Sequence, residues 1–549
     1  MVAVAEVTSS PDASSGADPI VAAPDPETVQ PEATGKSEKT RKSEKTRKSG
    51  TTARPETTPA SNGTGRGGRA RHVRASPWRG FGLPVGFIGI LVGCLIPWRD
   101  ALHSDVFDDT FWHQAAGVWM LDHHRVMNSD VFSYTVFGER WITPEWGYDV
   151  VLAQAVRTIG PVAFWLLSAG LATLTVLAVA VRSRLVGAGW IWTGLLCVEV
   201  GVAVNIFLDD RPQMFSYFFL ALLLLLLTLA RRWRWWLVPI PLLFVLWANL
   251  HGSFLLGLGI LLLEAVASLA GRGWRRLVVT GQLPRIPIVA TFVASALATL
   301  VNPFGLGVYS SALGITFNQQ VRSIISEWQS PDFHDPSILA VVVLPAVVTV
   351  AYLVFSRRDV PAVEALLTAF LLVSSLDAVR FIPYFAVAWC ALAASCPPFE
   401  ERLRPSLIVW PVLGVLAVSF LHGPYAPAGI PANGVPVQAV DYLQQHRGRI
   451  FSTYLWNDYL DWVGRQVFVD GRTELYTNNG VLSTYLDIAN LTTDPDPVLR
   501  SYDVKYVLWQ PYTPLALYLQ NDPQHWRQVW SSSESVVFEA VGAQTAQPG

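Results

Sequence analysis

Long apolar runs, repeated many times and separated by short polar or arginine-rich breaks, constrain this chain more than any other feature. A helix needs about 20 apolar residues to cross a hydrocarbon core ~30 Å thick. Spans are expected near residues 81–97, 161–181, 187–208, 213–230, 236–249, 252–270, 286–301, 337–355, 361–377, 381–395 and 405–422, about eleven in all, the fifth shortened by Pro239 and Pro241. No soluble core of this size absorbs so much apolar sequence: 51% of the residues are hydrophobic and only 15% charged, with a mean hydropathy of +0.34. These values select a polytopic α-helical membrane protein.

Charge orients it. Residues 36–79 carry 13 Lys or Arg against 3 Glu, a net charge of +10 just before the first apolar run. The positive-inside rule places that end in the cytoplasm. Residues 1–78, rich in Pro, Ser, Thr and Gly and holding the repeat KSEKTR twice, lack the apolar surface to order themselves. They read as a disordered basic tail, either an orientation signal or a tether to anionic lipid. The run is not a cleavable signal peptide, because it starts about 80 residues in. Arg182 and Arg184, Arg231 to Arg234, Arg272 to Arg276, Arg357 and Arg358, and Arg402 with Arg404 fall on alternate loops, the cytoplasmic ones. The net charge of −2 suggests no nucleic-acid partner, and the four cysteines lie in or beside apolar segments, leaving the C-terminal region without disulfides.

The opposite side of the membrane carries the chemistry. Two loops there are long, 98–160 and 302–336. Neither alternates like a strand, so short helices resting on the outer leaflet are expected. After a Pro/Gly linker the composition changes, and residues 423–549 read as an extracytoplasmic α/β domain. RIFSTYL, QVFVDGR, VKYVLWQ, QVWSS and VVFEA read as its strands, VQAVDYLQQH and NDYLDWVG as helices.

Within the first outer loop Asp108, Asp109 and His113 stand out. Adjacent carboxylates beside a bilayer repel each other and lose hydration, which suits one of them to act as a general base. They equally suit a divalent cation, with further oxygen ligands, and Asp109 also suits the N-cap of the helix TFWHQAAGVWMLDHH. His113, one turn on, reads either as a contact to phosphate or sugar or as a partner of Asp109. No Cys/His spacing suits zinc. Asp209, Asp210, Arg211 and Gln213, then Asn249 and His251, and then Arg380 place polar groups at other outer span ends. Arg380 suits a lipid phosphate, the alternative being a pair with Asp377. Asn457, Asp458, Asp470, Gly471 and Arg472 sit where α/β domains place ligand contacts or simple turns.

The segments DDTFWHQAAGVWML, DVFSYTVFG, WITPEWG, RPQMFSY, WANLHGSF, NPFGLGVY, ISEWQSPDFHDP and VDGRTELY resemble a group of bacterial polytopic proteins that are in turn similar to the GT-C superfamily of membrane glycosyltransferases. That resemblance covers the chain from about Gly86 onward. It implies transfer of a sugar from a polyprenyl-phosphate donor to a cell-envelope glycan, glycolipid or protein acceptor outside the cytoplasm of a bacterium. It also implies an essential acid just after the first span, which falls on Asp109, with Asp108 beside it and Glu145 as a second carboxylate. WNDYLDW resembles the WWDYG motif of oligosaccharyltransferases at Trp456, Asp458 and Tyr459, but Asn457 and Leu460 depart from it, so peptide binding is not carried over. The mechanism implied is displacement at the anomeric carbon, Asp109 acting on the acceptor and Arg211 or Arg380 on the leaving phosphate, with His113, Glu145, Gln213 and His251 contributing to donor or acceptor binding. Two other classes remain: a lipid-linked sugar flippase, which wants polar groups deep within spans, and a non-catalytic scaffold for envelope assembly.

Overall fold

The computed structural model describes residues 82–102, 108–208, 210–269, 283–355, 360–396 and 434–542. The basic tail, the expected span 405–422, Asp209 and the arginines at 272–276, 357–358, 402 and 404 lie outside the described residues.

The expected spans up to residue 395 appear as helices. In chain order the first eight are α1 (Gly82–Ala101), α2 (Asp108–His123), α3 (Trp146–Ile159), α4 (Val162–Leu185), α5 (Trp190–Asn205), α6 (Gln213–Ala230), α7 (Ile240–Leu250) and α8 (Phe254–Leu269). There follow α9 (Arg285–Ala298), α10 (Gly307–Phe317), α11 (Gln319–Ile324), α12 (Leu344–Phe355), α13 (Ala362–Asp377) and α14 (Ile382–Ser395). Among the described residues three helices, α1, α4 and α6, are long and apolar enough to cross a membrane by themselves. The others are shorter, so the expected number of eleven is not reached by that measure. Ile286, Val350 and Phe370 are exposed on the bundle surface, as lipid-facing side chains are and water-facing ones rarely.

Two features hold the bundle. Along α1, Gly86, Gly89 and Gly93 present bare backbone to α5: a Cβ on Gly89 would stand 2.7 Å from the Cα of Gly194, and one on Gly93 would overlap the Cys197 carbonyl. Small residues at this spacing let helices approach closely where lipid supplies no hydrophobic drive. At one end of the bundle Arg231 pairs with Glu264 (2.6 Å) and Arg182 with Glu364 (3.3 Å), while Arg182 also donates to the Ala391 carbonyl (2.7 Å).

The C-terminal domain comprises α15 (Val437–Gln444), β1 (Arg449–Ser452), α16 (Tyr454–Trp462), α17 (Thr473–Thr477), α18 (Val481–Ala489), α19 (Pro495–Ser501), β2 (Val504–Trp509), α20 (Pro514–Gln520), β3 (Trp526–Ser531) and β4 (Val536–Ala540). Its sheet runs β1-β2-β4-β3, the first pair parallel and the others antiparallel. Most of the expected strands are present. QVFVDGR is not one of them: Val467 makes a single parallel bridge to Ser133 of the first outer loop.

That bridge corrects the expectation for the loop. α2 and α3 are helices as expected, but residues 128–141 double back as a tight β-loop, Asp130 N–H donating to the Glu139 carbonyl and Trp141 N–H to that of Asn128. The loop lies on the C-terminal domain. Tyr134 donates to the carbonyl of Ile450 (2.8 Å) and Thr135 to that of Phe468 (2.6 Å). Trp112, Met120, Met127, Val136 and Trp141 of the loop share one core with Phe451, Phe468, Tyr476 and Phe538 of the domain. Through its centre runs Arg472, wholly buried, which reaches Asp130 at 2.6 Å and Asp470 at 2.5 Å.

Removing one partner of a buried ion pair leaves an uncompensated charge and costs roughly 3–5 kcal/mol. Arg472→Met is therefore expected to lower the unfolding midpoint by several degrees and to expose the 128–141 loop to protease; an unchanged midpoint and cleavage pattern would show that the clamp does not hold the domain.

Candidate active site at the bundle rim

α2 begins at Asp108, so Asp109 lies inside the first helical turn rather than at the cap, where the helix dipole favours a carboxylate. The side chain of Asp108 lies outside the described residues. Asp109 Oδ2 meets Arg211 Nη2 at 3.1 Å. Arg211 precedes α6 and also grips Glu327, which lies in the second outer loop. One guanidinium thus ties both long loops to the end of the bundle. Asp109 remains 29% exposed and Arg211 only 11%, so the carboxylate is the accessible member of the pair.

On its other side Asp109 meets the C-terminal domain. A Cβ on Gly471 would stand 2.8 Å from Asp109 Oδ1, 2.8 Å from Trp112 Nε1 and 2.9 Å from Asp458 Oδ2. Only glycine lets this turn pass so close. Gly471 N–H donates to Asp458 Oδ1 at 2.7 Å, which sets the turn against α16.

Behind Asp109 is a drier layer. Glu145, just before α3, lies 3.8 Å from His113 Nε2 and 3.5 Å from His251 Nε2. His113 is buried against Trp112, their ring centroids 3.6 Å apart, and its Nδ1 bonds Asp149 Oδ1 at 2.6 Å. Its partner is therefore Asp149 and not Asp109. His251 Nδ1 lies 2.8 Å from the Ser216 hydroxyl and 2.9 Å from that of Ser253. Burial depresses both imidazoles, His113 well below its ordinary range and His251 to about 3. Both are neutral at pH 7. Burial, reinforced by Glu474, lifts the Glu145 carboxyl to about 8, and burial raises Asp149 well above the carboxylate range. Burial thus drives this layer toward its neutral forms, with His113 bonded to Asp149 and His251 to Ser216 and Ser253.

Arg380 lies over the Trp328 ring, 4.4 Å from its centroid, and makes no ion pair among the described residues. The alternative partner Asp377 instead pairs with Arg322 (2.7 Å). Arg380 acts electrostatically on Glu145, His251 and Glu327. Gln213 is buried at the start of α6 and makes no side-chain hydrogen bond among the described residues. Sequence reading missed Asp149, Glu327 and Glu474. Glu327 alone had a signal, a carboxylate beside tryptophan in the second outer loop; the others are set by folding.

At the rim Asp109 and Glu327 both pair with Arg211; among the described residues an acidic group close enough to share an ion is formed by Asp458, Asp461 and Asp470, on the far side of the Gly471 turn. Beside Glu474, which accepts from Trp141 Nε1 at 3.0 Å, opens a polar groove of about 290 Å3 lined by Trp141, Ser310, Asn318, Asn478 and Asn479 among others.

Comparison with solved structures gives the fold a counterpart. The archaeal oligosaccharyltransferase AglB from Archaeoglobus fulgidus, in complex with an inhibitory peptide and a dolichol-phosphate, matches over 86% of this chain and 75% of its own, with a TM-score of 0.50 and 12% identity. The A. fulgidus oligosaccharyltransferase tethered by a disulfide to an acceptor peptide containing the NVT sequon matches over 85% and 74%, with a TM-score of 0.52 and 12% identity. Its apo form matches over 79% and 70%, with a TM-score of 0.50 and 11% identity. These neighbours belong to the GT-C superfamily, so the fold resembles GT-C. No family model matches the chain, and no curated protein matches it.

The raised Glu145 carboxyl has a pH signature. Its folded value of about 8 lies above the ordinary 4.5, so its contribution to stability is complete below about pH 4.5 and is lost as pH rises through 8. Glu145→Gln, which cannot ionise, is expected to gain thermal stability relative to the natural protein across pH 5 to 9. A difference in midpoint that stays flat over that range would refute the neutral buried acid.

Proposed function

We propose that the protein is a membrane glycosyltransferase that moves a sugar from a polyprenyl-phosphate donor to an acceptor in the bacterial cell envelope, with Asp109 as the base. The observation that carries this reading is the carboxylate of Asp109 itself. It is accessible, paired to a cation at the end of the bundle and backed by the Gly471 turn, in a fold whose solved neighbours include one holding a dolichol-phosphate and one holding an acceptor peptide.

The rim faces away from the cytoplasm under the positive-inside rule, since Arg182, Arg184 and Arg231 to Arg234 lie at the other helix ends. The donor lipid lies along the bundle with its phosphate toward Arg380 and Arg211. The acceptor, a glycan, glycolipid or protein, enters by the groove beside Trp141, where Ser310, Asn478 and Asn479 suit hydrogen bonding to polar groups. Its hydroxyl oxygen bonds the anomeric carbon as the bond from that carbon to the phosphate oxygen breaks. The proton passes to Asp109, and the lipid phosphate leaves facing Arg380. Neutral Glu145, His113 and His251 hold the rim in place without competing for the phosphate.

A flippase is less well supported. Of the acids within helices, Glu264 and Glu364 pair with Arg231 and Arg182 in a structural network, while Glu199 of α5 keeps a buried carboxylate oxygen without a hydrogen-bond partner among the described residues.

The test uses a deletion strain and its glycolipid profile. The strain is expected to accumulate an acceptor one sugar short, restored by the natural chain but not by Asp109→Asn at equal membrane level. Full restoration by that variant sinks the assignment of Asp109, and an unchanged profile in the deletion strain favours the scaffold. Gly471→Ala, whose methyl displaces Asp109, is expected to cut transfer by up to about 100-fold while the unfolding midpoint moves by only a few degrees.

A further inference from the structure

Behind the Gly471 turn, inside the C-terminal domain, is an acidic cluster that the transfer reaction does not use. Asp458 and Asp461 lie one turn apart on the same face of α16, and Asp470 approaches from the segment before the turn. One oxygen from each lies within 4.8 Å of the others, and all three residues are buried, none more than 3% exposed.

Within this cluster Asp461 is the carboxylate left without a partner. Arg472 is already committed to Asp130 and Asp470, and Asp458 accepts from Gly471 N–H. Asp461 is left with both carboxylate oxygens shielded from solvent and without a hydrogen-bond partner. One turn earlier on that helix face, Asn457 is wholly buried, and neither its amide oxygen nor its amide nitrogen has a partner. A desolvated carboxylate without a partner is among the costliest groups a protein can bury. A proton on Asp461 would cancel its charge and still leave its acceptor sites, and those of Asn457, unmet.

We propose that Asp458, Asp461 and Asp470 bind a hard divalent cation, calcium or magnesium, inside the C-terminal domain. The ligands are all oxygens, with no Cys or His in the group, which suits these ions rather than zinc. Asn457 Oδ1 lies on the same helix face as a further oxygen donor. The ion neutralises Asp461 and satisfies its oxygens. Its role is positional. It fixes Asp458, Asp458 fixes the Gly471 turn, and that turn backs Asp109. The last link rests on the reading of Asp109 given above, whereas binding of the ion does not.

The experiment uses the full chain in lipid nanodiscs, with metal content measured by elemental analysis and unfolding followed with EDTA and then with added calcium or magnesium. The natural protein is expected to retain about one such ion per chain, to lose several degrees of midpoint in EDTA and to recover them on re-addition. Asp461→Asn is expected to lose both the ion and the response, while Asp109→Asn keeps them. The proposal is overturned if the natural protein carries no ion and ignores EDTA and both cations. It is equally overturned if Asp461→Asn responds as the natural protein does, or if the response disappears in Asp109→Asn. The first criterion needs no variant, so poor folding of Asp461→Asn leaves the test intact, and none of these readouts depends on transferase activity.

Discussion

The guanidinium of Arg472, enclosed between Asp130 and Asp470, is the contact on which the outer half of this protein depends. One carboxylate comes from the first outer loop and the other from the C-terminal domain, more than 300 residues later. A buried ion pair adds little net stability compared with apolar packing. What it adds here is register: Arg472 fits one arrangement of loop and domain, and in that arrangement Gly471 reaches Asp109. The apolar surface around it, Trp112 and Trp141 against Phe468 and Tyr476, supplies the cohesion.

The rim is divided by hydration. On the more covered side, burial raises the Glu145 carboxyl and depresses His113 and His251, so each is driven toward its neutral form. On the open side, Asp109 and Arg380 keep access to whatever enters. A carboxylate and a cation at the edge of a low-dielectric layer act more strongly on nearby charge than they would in open water. That arrangement requires both long loops and the C-terminal domain, which meet at Arg211 and Gly471.

Much of this was legible in the sequence, and the limits are physical. Apolar runs announce membrane helices because a helix satisfies its own backbone hydrogen bonds locally; the α6 boundaries expected from hydropathy match the observed ones. Asp109 stood out as one of two adjacent carboxylates in the first long loop. Long-range contacts leave no such mark. The first long loop reads as short helices resting on the membrane, whereas residues 128–141 pack on a domain that hydropathy cannot place. QVFVDGR has a strand's composition, yet its partner is the loop rather than the sheet. Arg472 looked like an ordinary turn residue beside Asp470 because its second acid, Asp130, lies more than 300 residues earlier in the chain.

Helix α6 carries an ion-paired arginine just beyond either end, Arg211 with Asp109 and Glu327, Arg231 with Glu264. Its 18 residues span about 27 Å, close to the ~30 Å of a hydrocarbon core. Neither arginine can slide into the core without losing its partners, so the helix resists shortening or tilting at both ends. A bilayer of unsuitable thickness must then deform around it, or strain passes along α6 to the pair that holds Asp109. The acyl-chain length of the surrounding lipid thereby becomes a determinant of the geometry at the rim, acting through a helix that itself carries no reacting group.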